Sequence, residues 1–476
     1  MSRKHNRLGR SRGPLILFLL VGSAAGYALA PRTALSGGGE TGAAGGEVLW
    51  EERLGDWNQD SDLHLAVQGT EVLVTGSTAG NSSVRVYDVK TGDLLRHYPI
   101  DSPAISGDSR FDNPWWGSDT SPYVLSLAVG GPQLFIAGRS FLGEYGDHQF
   151  SVWAHDRQTG ALLWEQIDPP YDDFLGPGGD PKHMVARENR VFVAGEEHQV
   201  GQRNGTLTWR VVRAYEATHG DLLWEDKPSG LLSGFAVQGQ RVFVTGHDED
   251  GYWYGPRYAG SIVHAYDAET GDRLWEDGFT GTPYPSDYWG CGEDVEVPCT
   301  EQWAYTRDLA LGGSGVVFVI GEASNVEGGS DAFVRAYEAE MGQLLWDNTD
   351  PDFGSAYAVV AGERRVFVRF GCVVRAYWAS TGERIWEARL PESSCSSFGF
   401  TGLAMRRGRV VVASGGSLRT YDARTGDLLW QKNDALDIES WHVGKQRIVV
   451  AGSVSNANGG RDFIVRAYAV RDLNPS

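Results

Sequence analysis

The sequence predicts an all-β fold: an eight-bladed β-propeller of four-stranded antiparallel blades, its ring closed by an N-terminal strand that completes the last blade. Three observations predict it. One phrase recurs along the 476-residue chain: AHDRQTGALLWE from 154, AYEATHGDLLWE from 214, AYDAETGDRLWE from 265, AYEAEMGQLLWD from 336, AYWASTGERIWE from 376 and TYDARTGDLLWQ from 420. Its period of roughly 40 to 70 residues is that of a propeller or solenoid. Each phrase follows two short runs of alternating apolar residues, as strands do. The unit that begins last lacks its ending, and that ending stands alone near the N-terminus.

One unit shows the grammar. GFAVQG (234–239) is strand A and RVFVTG (241–246) is strand B, after a one-residue turn. SIVHAYDA (261–268) is strand C and DRLWED (272–277) is strand D, joined by Glu269-Thr270-Gly271. The phrase is therefore the C–D hairpin, whose Gly supplies the positive φ of the turn while Asp or Thr bonds its backbone. Gly92, Gly160, Gly220, Gly271, Gly342, Gly382 and Gly426 mark seven complete units. An eighth starts at WHVGKQRIVVAG (441–452) and runs to FIVRAYAV (463–470). Val48-Leu49-Trp50-Glu51 matches the LLWE ending and supplies its fourth strand. Closure of this kind removes the exposed edges of an open array.

A four-residue C–D loop places His264 opposite Trp275, and Arg213, Arg335, Arg375, Arg419 and Arg466 opposite Trp224, Trp346, Trp386, Trp430 and Trp50. Such a cross-strand stack is worth ~0.5–1 kcal/mol and reads as a staple within each blade. The same offset sets Arg85 against Arg96 in blade one and Trp153 against Trp164 in blade two.

The pattern A-x-D-x-x-T-G-x-x-x-W resembles the repeat of the PQQ-like, quinoprotein-type β-propellers. Residues 154–164 and 265–275 match every fixed position, and the likeness spans about 48–470. The resemblance implies the fold. It implies no single activity, because that superfamily holds PQQ-dependent dehydrogenases and non-catalytic proteins such as the outer-membrane assembly lipoprotein of the Bam complex. In the dehydrogenases PQQ and a calcium ion lie on the propeller axis beside an Asp base. Asp62, Asp308 and Asp437 are this chain's candidates near A strands. The adjacent cysteine pair that many such enzymes carry and a C-x-x-C-H haem motif are both missing. The resemblance therefore points to a protein without cofactor, with a PQQ- and calcium-dependent dehydrogenase as the alternative.

Residues 1–30 read as an export signal. Arg3, Lys4, Arg7, Arg10 and Arg12 precede the apolar run 15–21, and Ala28-Leu29-Ala30 offers an A-x-A cleavage pattern. Uncleaved, the segment would serve as a signal anchor. Residues 31–46 form a Gly-rich linker, and 47–476 the propeller. Cleavage would move the net charge from -20 to -25, since it removes five cations and no acid. Such a surface repels nucleic acid and anionic membrane. Cys291, Cys299, Cys372 and Cys395 suit disulfides in an exported chain. Sequence order suggests 291–299 and 372–395, but three pairings are open.

In an A-B-C-D meander the B–C and D–A connections leave from one face. All the long insertions are of these two kinds: 101–120, 139–149, 167–181, 196–208, 247–260, 277–305, 322–331 and 453–461. They form a crown, high over blades one to five and low over six and seven, where the B–C turns 369–371 and 414–416 are tight. The crown is aromatic. It holds Trp115, Trp116, Tyr252, Trp253, Tyr254, Tyr258, Tyr284, Tyr288, Trp289 and Trp303. These rings suit a sugar or a protein partner, or they fill a small core inside the loops. Asp56 to Asp62 opens like a calcium loop but has Ser61 and Val67 where Gly and Glu belong. It reads as a solvated acidic loop. The expectation is a monomeric, non-enzymatic protein of the periplasm or cell envelope, or one secreted, which binds a protein or polysaccharide through the crown.

Overall fold

The computed structural model describes residues 47–57, 63–78, 81–100, 123–141, 148–168, 178–200, 206–248, 258–285, 300–313, 315–391, 401–414, 416–433, 436–456 and 460–470. They form eight four-stranded blades. Blade one is β2 (His64–Gln68), β3 (Glu71–Thr78), β4 (Asn81–Asp88) and β5 (Leu94–Pro99). Blade two is β6 (Tyr123–Gly130), β7 (Gln133–Phe141), β8 (His148–Asp156) and β9 (Leu162–Ile167). Blade three is β10 (Gly178–Arg187), β11 (Arg190–Val200), β12 (Thr206–Glu216) and β13 (Leu222–Asp226). Blade four is β14 (Leu231–Gln238), β15 (Arg241–His247), β17 (Ser261–Asp267) and β18 (Arg273–Phe279), with β16 (Tyr258–Ala259) in its B–C connection. Blade five is β20 (Thr300–Gly312), β21 (Val316–Ser324), β22 (Ser330–Glu338) and β23 (Leu344–Asp350), preceded by β19 (Tyr284–Pro285). Blade six is β24 (Ala358–Ala361), β25 (Arg365–Phe370), β26 (Val373–Trp378) and β27 (Arg384–Arg389). Blade seven is β28 (Thr401–Arg406), β29 (Arg409–Ser414), β30 (Ser417–Asp422) and β31 (Leu428–Asn433). Blade eight is β32 (Asp437–Val443), β33 (Arg447–Ser455), β34 (Arg461–Ala469) and, from the other end of the chain, β1 (Val48–Trp57).

The closing strand is antiparallel to β34, with Trp50 opposite Ala467 and Arg53 opposite Ile464. Arg466 donates to Glu51 at 2.6 Å and Arg53 to Asp462 at 2.8 Å. Strand length divides the ring as the insertions do: β11 and β12 have eleven residues and β20 thirteen, against four to six for β24, β25 and β26.

The described apolar residues form no central core. A blade has two apolar faces and each must meet a neighbour, so burial is divided among the seams. Among the described residues the apolar side chains gather into eight clusters, each shared by two successive blades, the last joining blades eight and one.

The C–D register differs from the expected one by a residue. The four-residue loop is present: Glu216 N–H donates to Asp221 O. A β-bulge then follows, so Trp224 faces Ala214 and Arg213 faces Glu225. The same shift occurs in all eight blades. In blade one Arg85 faces His97, and in blade two Trp153 faces Glu165. The expected stacks of Arg213, His264, Arg335, Arg375, Arg419 and Arg466 on their own blade's Trp are therefore not formed.

The Trp instead joins blades. Trp224 lies between Phe192 of its own blade and Tyr266 of the next, and its Nε1 donates to Ala268 O at 3.2 Å. Trp50, Trp164, Trp275, Trp346 and Trp386 donate likewise to Val89, Ala217, Ala339, Ala379 and Ala423 of the following blade. Each ring covers the next blade's turn Gly, and a Cβ on Gly271 would stand 2.6 Å from Trp224. These turn glycines also hold φ between 71° and 82°. Two constraints thus require Gly at one position. Blade one uses Tyr98 over Gly160 in place of a Trp. At the seam from seven to eight the Trp430 Nε1 is buried with no hydrogen-bond partner among the described residues. There the own-blade Phe is replaced by Val411, and blade eight has no TG turn.

The displaced Arg also joins blades. Arg213 is buried, stacks on Phe150 of blade two at 4.7 Å and pairs with Asp168 at 3.0 Å. Arg335 lies over Phe279 at 3.8 Å, beside Asp277. Arg375 lies over Phe353, beside Asp350. The phrase Asp is a turn cap. Asp156 accepts backbone N–H groups of Thr159 and Gln158, and these bonds hold its carboxyl below the usual range.

Candidate axial mouth and crown

Strand A of each blade lies innermost, and five of these strands carry a β-bulge at the same height: at Leu125, Lys182, Ser233, Arg307 and Glu439. A bulge re-aims a side chain. Around Leu125, Ser233, Arg307 and Glu439 the flanking residues are buried between blades, while the bulged residue keeps exposure. The bulges lie toward the crown end of strand A, so they rim the axial mouth.

The position after the bulge is equivalent in every blade: His64, Ser126, His183, Gly234, Asp308, Ala358, Gly402 and Ser440. At three of them a polar side chain bonds to the backbone of the next blade. His64 Nε2 is 3.1 Å from Val124 O, and Ser440 Oγ accepts Leu65 N–H at 3.1 Å. Asp308 accepts Leu309 N–H at 2.8 Å and Val359 N–H at 3.0 Å. Glu196 accepts Leu232 N–H at 2.7 Å and pairs with Lys182 at 2.5 Å. Of these the sequence reading picked out only Asp308. Aligning the residue before each inner apolar run would have shown the whole ring.

Burial pushes the Asp308 carboxyl up to about 7, against its two backbone bonds. Burial raises Asp180 too, but the His198 ring 3.8 Å away and the Arg139 guanidinium bonded to it outweigh that and hold the carboxyl low. His198 is raised in turn, first by Asp180.

A calcium-bound quinone on the axis needs a cluster of free oxygen donors. Among the described residues no three His, Cys, Asp or Glu side chains gather to hold a metal ion. Both Asp308 oxygens are taken by backbone N–H groups. Asp437 pairs with Arg461 at 2.8 Å, and Asp62 lies outside the described residues. The described residues do not fit that group.

On the crown, β20 extends above the ring and pairs with β16 in parallel and β19 in antiparallel fashion. Here Trp303 is 9% exposed and stacks on Tyr305 at 4.9 Å. The Tyr284 hydroxyl donates to Glu301 at 2.6 Å. Of the crown aromatics, Trp303 is thus loop core. Tyr258 begins β16, its backbone opposite Gln302. Trp115, Trp116, Tyr252, Trp253, Tyr254, Tyr288 and Trp289 lie outside the described residues, as do Cys291, Cys299 and Cys395. Cys372 is disulfide-bonded.

The comparisons with known proteins follow this architecture. The BamB structure from Moraxella catarrhalis is similar at a TM-score of 0.53 and 14% identity, over 89% of this chain and 99% of that one. That likeness concerns the fold. Two curated relatives match over short stretches. The 1-butanol dehydrogenase (cytochrome c) of Thauera butanivorans is 34% identical over 105 residues, 20% of this chain and 15% of its own. The dehydrogenase subunit of the quinone alcohol dehydrogenase of Acetobacter aceti is 29% identical over 144 residues, 30% of this chain and 17% of its own. This chain thus spans less than a fifth of either enzyme. The family model described as outer membrane protein assembly factor BamB matches residues 148–285 and 330–467, more than half of the chain. By that match and by its ring of PQQ-type blades, the chain belongs to the BamB family of β-propellers.

Proposed function

We propose that this is a non-enzymatic, exported propeller that holds a macromolecular partner, a protein or a polysaccharide, through its crown. The observation that carries the reading is the commitment of the repeat's polar groups to structure. The phrase Asp caps a turn, Trp and Arg join blades, and Asp308 bonds backbone. What varies from blade to blade is the set of crown connections, and rigid scaffolds carry recognition on such loops. Family membership supports a scaffold of this kind in the cell envelope. The test is the triple variant Trp115, Trp116 and Trp253→Ala. It should fold with an unchanged melting temperature and recover at least about tenfold less partner in a pull-down from the native envelope. Loss of folding would assign these rings to the loop interior instead.

The two dehydrogenase matches favour a second reading, quinone-dependent alcohol oxidation. Residues 31–476 mixed with PQQ and calcium should retain no quinone absorbance after desalting and show no dye-linked alcohol oxidation. A stoichiometric bound quinone with turnover would replace the first reading by the second.

A further inference from the structure

We propose that three seams of the propeller form an acid-sensitive joint: protonation of His64, His183 and His247 loosens the seams between blades one and two, three and four, and four and five. The crown over those blades would loosen with them. Release of a partner at low pH is the consequence, and that part alone rests on the binding reading above.

Each imidazole sits in a seam. His64 of β2 is fully buried, and its Nε2 donates to Val124 O of β6. Its Nδ1 is buried and has no hydrogen-bond partner among the described residues. A proton there would be a charged donor in an apolar cluster that includes Ala66, Val124 and Leu127. His183 of β10 stacks on Phe235 of β14, with ring centres 6.3 Å apart and planes within 18°. His247 of β15 meets the Tyr305 ring of β20 edge-on at 4.8 Å, and its Nδ1 is 3.3 Å from Ser233 Oγ of β14.

The charged groups facing these rings are cations. Lys182 adjoins His183, and Arg307, Arg210 and Lys182 bear on His247. Among the described residues no charged group bears on His64. The nearby carboxylates belong to those cations: Glu196 to Lys182, Asp248 to Arg210 and Glu322 to Arg307. His198 shows the opposite arrangement, with Asp180 and Glu196 within 3.8 Å, and is raised. Burial pushes His64, His183 and His247 each down to about 4. A folded value below the unfolded 6.5 means the unfolded chain takes up protons first as the pH falls. The stability these rings contribute is present above about pH 6.5 and is lost as the pH falls through about 4. His442 of β32, depressed by burial and Arg406, extends the effect to blade eight. Blade six is the internal control. Strand β24 holds no histidine, and its seam to blade five carries Asp308, which acid neutralises.

Hydrogen exchange of the full chain, followed by mass spectrometry at about pH 7 and about pH 4.5, tests the joint. After correction for intrinsic rates, protection of strands β2, β10 and β14 should fall at least tenfold, and that of β24 and β25 less than about threefold. His64→Gln keeps an N–H for Val124 O and cannot be protonated, so it should abolish the loss at β2 alone. If it fails to fold, His183→Phe, which preserves the stack on Phe235, should do the same at β10. Equal loss across blades one to six, or a folded variant that exchanges like the parent, overturns the proposal. The measurement needs no partner, so its failure is distinct from failure of the binding reading.

Discussion

Trp224→Ala lowers the unfolding free energy by about 4 kcal/mol, the range for truncating a large buried aromatic. The residue is 8% exposed and fills the space between Phe192, Tyr266 and the turn at Gly271. Truncation removes both ring contacts and leaves the Ala268 carbonyl without its indole donor. The residue beneath is a glycine held at φ 77° by its turn, so it offers no side chain to fill the gap. Trp430→Ala serves as the comparison. Among the described residues its Nε1 has no acceptor, and Val411 stands where an own-blade Phe would pack, so its loss should be about half as large. Urea unfolding of both variants measures the difference. Equal losses would show that the indole bond and the aromatic sandwich add nothing to plain burial.

Deletion of residues 47–57 costs about 5 kcal/mol or prevents folding altogether. Trp50 and Leu54 are buried between blades eight and one, each worth roughly 2–3 kcal/mol. The deletion also strips the nearly buried Arg466 guanidinium of the Glu51 carboxylate it pairs with. The bared edge of β34 would then be open to pairing between molecules. Thermal unfolding with light scattering reads both effects. A synthetic 47–57 peptide supplied in trans should restore part of the melting temperature, and an unchanged melting temperature without it would refute closure by this strand.

Blade count and closure were legible in the sequence because each rests on local chemistry repeated many times. A turn Gly, its capping Asp and an alternating strand announce one hairpin, and Val48 to Glu51 is visibly the ending that blade eight lacks. The role of the Trp was not legible. A bulge before Trp224 leaves no mark in a strand pattern, yet it moves Arg213 from an indole to Glu225. The Tyr of A-Y is as regular as the Trp, and the Phe of the strand-B run recurs in five blades. Their meeting lies across a seam, and strand alternation does not say which neighbour a buried ring will face. The crown was legible only as composition. Its segments do not repeat, so no unit explains another. Trp303 and Tyr284 turned out to pack on the loops themselves.

The chain is cut inside a blade, and this has a bearing on how it is made. Glu51 and Arg466, which meet in blade eight, are 415 residues apart. At roughly 5–20 residues per second of synthesis, the first strand waits about 20–80 seconds for its partner. Seven blades can take shape in that interval, each supported by the one before. Throughout it Trp50 and Leu54 have no finished surface to cover them, and a nascent chain in that condition is the one that a holdase would recognise.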